Sequence, residues 1–152
     1  MKPVLYSSTE TEFTSNGLGV LNDAVSAVVL EERNGAYELT MEYPADGIHF
    51  SDISARCIIL AKPNPTDSPQ PFRIYRITKP IGGIVTIYAQ HISYDLSGVA
   101  VSPFSANTLA EAISAMQSHA LPSDQPFTLT TDMNKGTGLS ITTPASFRAM
   151  MG

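Results

Sequence analysis

Three histidines, one cysteine and a scatter of carboxylates carry the chemical potential of this 152-residue chain. The densest grouping is Gln90-His91-Ile92-Ser93-Tyr94-Asp95-Leu96, which holds the residue types of a Ser-His-Asp triad. A triad needs nucleophile, base and orienting acid to converge in space. On an extended strand His91, Ser93 and Asp95 share a face, yet successive members stand ~6.6 Å apart at ~3.3 Å per residue. No Gly-x-Ser-x-Gly elbow accompanies them. The spacing predicts instead that His91, Tyr94 and Asp95 make side-chain hydrogen bonds where the chain leaves a strand.

Other groupings are as sparse. Asp46, His49 and Asp52 lie within one short stretch, and two carboxylates with an imidazole are a possible divalent-cation set. Neither an EF-hand nor a His-Glu-x-x-His pattern is present, and a hydrogen-bonded loop histidine is the plainer expectation. Cys57 opens the apolar run Cys57-Ile58-Ile59-Leu60-Ala61, which predicts a buried, inert thiol. A single cysteine also excludes an internal disulfide and any site with two cysteine ligands. Glu31, Glu32, Glu38 and Glu42 gather on one hairpin as a solvated face rather than as two acids opposed across a cleft. Gly17-Leu18-Gly19 and Gly82-Gly83 lack the remainder of a phosphate loop. Strand alternation puts Arg73 and Arg76 on opposite faces, which argues against an arginine pair. Tyr75, Tyr88 and Tyr94 are the candidate stacking platforms for a glycan, though their place in strands favours core or interface. No catalytic, cofactor-binding or metal residue is assigned, and no cofactor is expected.

The elements that would position these side chains are mostly strands. Tyr37, Leu39, Met41 and Tyr43 alternate with Glu38, Thr40 and Glu42, the period of a half-buried strand. Ala24 to Glu32 pairs with it through Asn34-Gly35, a dipeptide suited to a two-residue hairpin turn. That register sets Leu30 opposite Leu39 and Val28 opposite Met41, but also Glu31 opposite Glu38, a like-charge pair. Either that face is well solvated or the loop is longer than two residues. Cys57 to Ala61 reads as a strand buried on both faces. Lys62 to Pro71 carries four prolines and reads as an exposed stiff loop, unfit for a central strand. Phe72 to Thr78 and Ile84 to Gln90 form a second hairpin around Gly82-Gly83.

After about Val101 the pattern changes. Leu109, Ala112, Ile113, Met116 and Ala120 line one face of a helix over 105–120, with Thr108-x-x-Glu111 as a capping box and Pro122 as its stop. Phe127 to Thr131 and Leu139 to Thr143 are Thr-rich strand candidates, separated by a polar, flexible loop from Met133 to Gly138. The fold class is therefore mainly β with one α-helix: a β-barrel-like domain over 1–100, then the start of an α+β domain over 101–152. The apolar ending Pro144 to Gly152 suggests that this second domain is incomplete.

Composition narrows the function classes. Nine Lys and Arg against fourteen Asp and Glu leave a formal charge of −5, with the cations scattered, so nucleic-acid binding is not expected. No stretch approaches the ~18–20 apolar residues of a membrane span, and Val4-Leu5-Tyr6 is too short for a signal-peptide core. Charged residues are 15 %, a level that suits surface covered by partners and equally suits Ser/Thr-based solubility.

An ordered series of segments carries a resemblance. It runs through Asn16 to Ala24, Glu31 to Leu39, Met41 to Pro44, Ile58 to Asn64, Gln70 to Tyr75 and Ala89-Gln90-His91-Ile92-Ser93-Tyr94-Asp95-Leu96. Together these resemble the N-terminal region of siphophage and prophage minor tail structural proteins, the prophage endopeptidase tail or tail-associated lysin family. The resemblance implies a structural protein of a tail tip or baseplate hub, with β-barrel-like domains arranged as a trimeric ring. It implies a homotrimer in the longer chain, contact with the distal tail ring protein and other tail proteins, and a place at the virion tail tip after assembly in the host cytoplasm. Lytic activity in that family belongs to C-terminal regions with no counterpart here, so the implied role is not enzymatic. A peptidoglycan-degrading tail protein is the alternative, carried by His91, Asp95 and a nearby Ser or Glu.

Overall fold

The computed structural model describes residues 1–33, 35–133 and 135–151. The chain divides into two compact units, Met1–Ile92 and Ser93–Gly152, a few residues ahead of the change in composition. The fold is mainly β, and the first unit is a curled antiparallel half-barrel sheet. Its strands are β1 (Val4–Tyr6), β2 (Gly19–Val20), β3 (Ser26–Glu31), β4 (Tyr37–Pro44), β5 (Ile58–Ala61), β6 (Gln70–Ile77) and β7 (Ile84–His91). They lie in the order β2-β1-β5-β6-β7-β4-β3, each antiparallel to its neighbour.

Side-chain alternation decides what this sheet buries. Leu39, Met41 and Tyr43 of β4 stand opposite Ala89, Ile87 and Val85 of β7, and all six are buried. Phe72, Ile74, Ile59 and Leu5 complete that core. Strand β5 is buried on both faces as its unbroken apolar run predicts: Ile59 and Ala61 enter the main core, while Ile58 and Leu60 pack with Val4 and Tyr6 behind it. Cys57 is buried as expected, its Sγ 3.2 Å from Ser54 Oγ.

The β3–β4 register differs by one residue from the sequence expectation. Val29 faces Leu39, Val28 faces Thr40, Leu30 faces Glu38 and Glu31 faces Tyr37. The Glu32 N–H donates to Ala36 O at 2.8 Å, so the connection runs from Arg33 to Gly35, one residue longer than a two-residue turn. The slip separates Glu31 from Glu38 and turns Val28 and Leu30 to the outer face. Asn34, half of the expected turn dipeptide, lies outside the described residues.

Two further differences concern β6. Pro71 lies inside this interior strand, opposite Leu60. It is tolerated because the β7 ladder begins one residue later, at Phe72 opposite His91. Register then shifts between Ile74 and Arg76, leaving Tyr75 as a bulge residue. The extra residue resets the alternation: Phe72, Ile74 and Ile77 pack on the core, so Arg73 and Arg76 share the outer face rather than opposing ones. At the far end Ile81 and Ile84 exchange backbone hydrogen bonds across Gly82 and Gly83, whose φ of +59° and +80° are those of a primed hairpin turn.

The second unit contains β8 (Ala100–Val101), β9 (Phe104–Thr108), α1 (Leu109–Ser118), β10 (Ala120–Leu121), β11 (Gly136–Ile141), β12 (Ala145–Ser146) and α2 (Phe147–Met151). Strands β10, β8 and β12 form one small sheet; β11 and β9 form another. Helix α1 is shorter than 105–120. Residues 105–108 are spent pairing with β11, and Ala120 pairs with Val101. The cap is where the sequence puts it: the Glu111 N–H donates to Thr108 Oγ1 at 3.2 Å, and Glu111 Oε2 accepts from the Asn107 N–H at 2.8 Å. Phe127 to Thr131 is not a strand. The Gln117 side chain takes both backbone groups of Leu129, accepting its N–H at 3.1 Å and donating to its carbonyl at 3.0 Å. The second Thr-rich strand begins earlier than Leu139, at Gly136, and so takes in part of the expected 133–138 loop, of which Asn134 lies outside the described residues. A second short helix, α2, follows where one helix was expected.

Candidate functional site

The best-connected polar group forms around the end of β4. Tyr43 is fully buried, and its hydroxyl reaches Asp23 Oδ2 at 3.4 Å. The same Asp23 oxygen accepts the Ile48 N–H at 2.9 Å, and the Tyr43 oxygen accepts the His49 N–H at 3.3 Å. His49 Nδ1 then meets Asp52 Oδ2 at 3.1 Å. Burial pushes the Tyr43 phenol above its ordinary value; the His49 N–H draws it back, and the Asp23 carboxylate raises it further. Gly19 is required beside this group, since a β-carbon there would stand 2.2 Å from the His49 ring.

This network ties the loop after β4 to Asp23 and to the Tyr43 hydroxyl. Asp23, which the sequence reading passed over, is the carboxylate that binds the loop backbone. Asp46, weighed there as a possible cation ligand and not assigned, is exposed and lines a separate shallow cleft of about 450 Å³ with Pro44, Gly82 and Gly83. Among the described residues, no three His, Cys, Asp or Glu side chains gather closely enough to hold a metal ion.

His91 ends β7. Its ring stacks on Tyr37 at 4.6 Å between centroids, and its Nε2 lies 3.2 Å from Gln70 Oε1. Ser93, Tyr94 and Asp95 are not on an extended strand: Ile92–Gly98 is a 3₁₀ segment, so the strand spacing expected for them does not apply. Arg148 of α2 donates to Ser93 Oγ at 3.0 Å and lies 3.7 Å over the Tyr94 ring, a close cation–π contact. Ser93 is thus bound by a cation, and Tyr94 is a covered platform. No sequence pattern marks Arg148 for this task, because the contact joins residues at the two ends of the second unit.

The carboxylates of the β3–β4 hairpin serve local ends. Glu42 Oε2 accepts from Ser26 Oγ at 3.0 Å, and Glu32 Oε2 accepts the Ala36 N–H at 3.3 Å. On the outer sheet face, Arg73 Nη1 donates to the carbonyls of Ser8 and Arg56 at 2.9 and 3.0 Å. Arg76 lies 5.0 Å over the Tyr88 ring, and Tyr75 stands 6.3 Å from Tyr88. Tyr75 is 49 % exposed, because the bulge turns it away from the core.

The second unit has a cavity of about 180 Å³ lined by Leu96, Gln117, Ser123, Gln125, Phe127 and Phe147, none of them titratable near neutral pH. Its walls offer the amides of Gln117 and Gln125 and the Ser123 hydroxyl. Exposed at the surface are Tyr75 of β6 and Val28 and Leu30 of β3. No family model, no curated protein and no solved structure matches the chain.

Proposed function

We propose that this chain is a structural component of a phage or prophage tail tip or baseplate hub, acting through protein–protein contacts in a ring assembly and not as an enzyme. The observation that carries this reading is the ordered series of segments from Asn16 to Leu96 that resembles minor tail structural proteins. A mainly β first unit with a curled sheet is compatible with it. The outer-face tyrosines and the apolar side chains of Val28 and Leu30 offer surface of the kind that partners cover. In this role the longer protein forms a homotrimer and binds the distal tail ring protein.

Antibody labelling of induced phage particles tests the reading. Label at the tail tip, with no clearing of cell-wall preparations by residues 1–152, is the expected result. Label elsewhere on the particle, or on no particle, overturns the structural role. Clearing that is lost in His91→Ala would replace it with the peptidoglycan-degrading alternative.

A further inference from the structure

The cavity of about 180 Å³ lies wholly within the second unit, and its lining divides into two chemistries. Leu96, Ala120 and Phe147 form an apolar floor, each no more than 3 % exposed, and Phe127 packs against the same core. Gln117 and Gln125 are half-buried and Ser123 is exposed, so the polar groups stand nearer to solvent. The Gln117 clamp on Leu129 uses one amide hydrogen and one carbonyl lone pair, and it leaves one of each. The same clamp fixes which end of that amide donates. Gln125 Nε2 donates to the Pro122 carbonyl at 2.8 Å, which leaves Gln125 Oε1 as an acceptor. No residue of the lining carries a charge.

We propose that this cavity binds one neutral aromatic ring bearing a hydrogen-bonding group, of which a phenol is the simplest example. Size sets the scale. An apolar cavity of about 150 Å³ holds benzene, whereas sites for larger ligands run from about 300 Å³ upward. Water is a poor occupant of the floor, because a held water needs about two to four polar partners and Leu96, Ala120 and Phe147 supply none. A ring displaces that water and gains contact with the phenyl groups of Phe127 and Phe147. Its substituent then meets the Ser123 hydroxyl, Gln125 Oε1 and the spare hydrogen-bonding capacity of Gln117. Charged ligands are disfavoured, because a carboxylate or ammonium would find no counter-ion in this lining. The proposal stands independently of the tail-tip reading.

Titration of the full 152-residue chain with p-cresol near neutral pH, followed by amide chemical shifts, tests the site. Saturating shifts at Gln117, Ala120, Phe127 and Phe147 are expected, half-complete between about 0.1 and about 10 mM for a ligand of so few atoms. Toluene should bind as well, and the anion 4-methylbenzoate at least about tenfold more weakly than p-cresol. Ser123→Ala, at an exposed position, should weaken p-cresol about threefold or more and leave toluene unchanged. Ala120→Leu fills the floor and should abolish binding of both; circular dichroism shows whether that variant folds, and if it does not, the Ser123 comparison decides. N-acetyl-tyrosinamide carries the ring of p-cresol on a peptide backbone. Binding as tight as that of p-cresol assigns the site to a partner's tyrosine, and exclusion assigns it to a free small molecule. Shifts that fail to saturate overturn the proposal. So does 4-methylbenzoate binding as tightly as p-cresol, a folded Ala120→Leu chain that binds undiminished, or a Ser123→Ala chain that treats p-cresol and toluene as the unsubstituted chain does.

Discussion

The two units of this chain solve the same problem of burial with unequal means. In the first, seven strands share one sheet, and the largest fully buried side chains among the described residues belong to it, from Tyr6 and Tyr43 to Phe72 and Ile87. In the second, sheets of three and two short strands accompany a ten-residue helix, and the core includes Ala106, Ala112 and Ala120 beside Phe104, Met116 and Phe147. Small side chains remove less apolar surface from water, at roughly 25 cal/mol per Å². The second unit compensates with directional polar links: the Gln117 clamp on Leu129 and the Arg148–Tyr94 contact. A broad continuous sheet is held mainly by area; a patchwork of short elements is held by particular bonds.

Substitutions separate these two modes. Phe72→Ala empties the centre of the first core and should cost about 3–5 kcal/mol in denaturant unfolding, with faster hydrogen exchange at Leu39, Ile59 and Ile87. Met116→Ala should cost about 2 kcal/mol, read at the amides of Val101 and Ala112, since neighbouring alanines leave a smaller and more collapsible space. Equal losses at the two sites would erase the distinction in core depth. Thr108→Ala removes the cap of α1 and should cost about 1 kcal/mol, with Thr108→Ser restoring most of it.

The last prediction concerns pH and has no effect near neutrality. Burial holds the Tyr6, Tyr37 and Tyr43 phenols above their ordinary value, with added repulsion from Glu10, from Glu31 and from Asp23 respectively. All three lie in the first unit. As pH climbs above about 10, the unfolded chain surrenders these protons before the folded one does. Their contribution to stability is therefore whole below that pH and is lost as pH rises toward the folded values. Phenolate absorbance followed beside circular dichroism should show these tyrosines ionising together with unfolding. Ionisation in step with free tyrosine, with the fold intact, would contradict it.

The residues that misled the sequence reading share a cause. Arg73 and Arg76 were placed by counting from one to the other, and a single bulge at Tyr75 reversed the result. Glu31 and Glu38 were brought together by a turn one residue too short. Residues 127–131 have β-forming composition, but their backbone bonds went to a glutamine side chain on α1. The stretch of Asp46, His49 and Asp52 was read as a loop with a hydrogen-bonded histidine, while its anchor, Asp23, lies outside that stretch and was missed.

What the sequence determined by itself is local and periodic. The alternation from Tyr37 to Tyr43, the doubly buried run at β5, the Gly82-Gly83 turn and the Thr108 cap each depend on residues within a few positions of one another. Tertiary structure alone decided register, the bulge, the place of Pro71 and the open edge of β3. Each of these depends on which distant backbone groups remain to be paired once neighbouring strands have met, and every buried N–H and C=O must find such a partner.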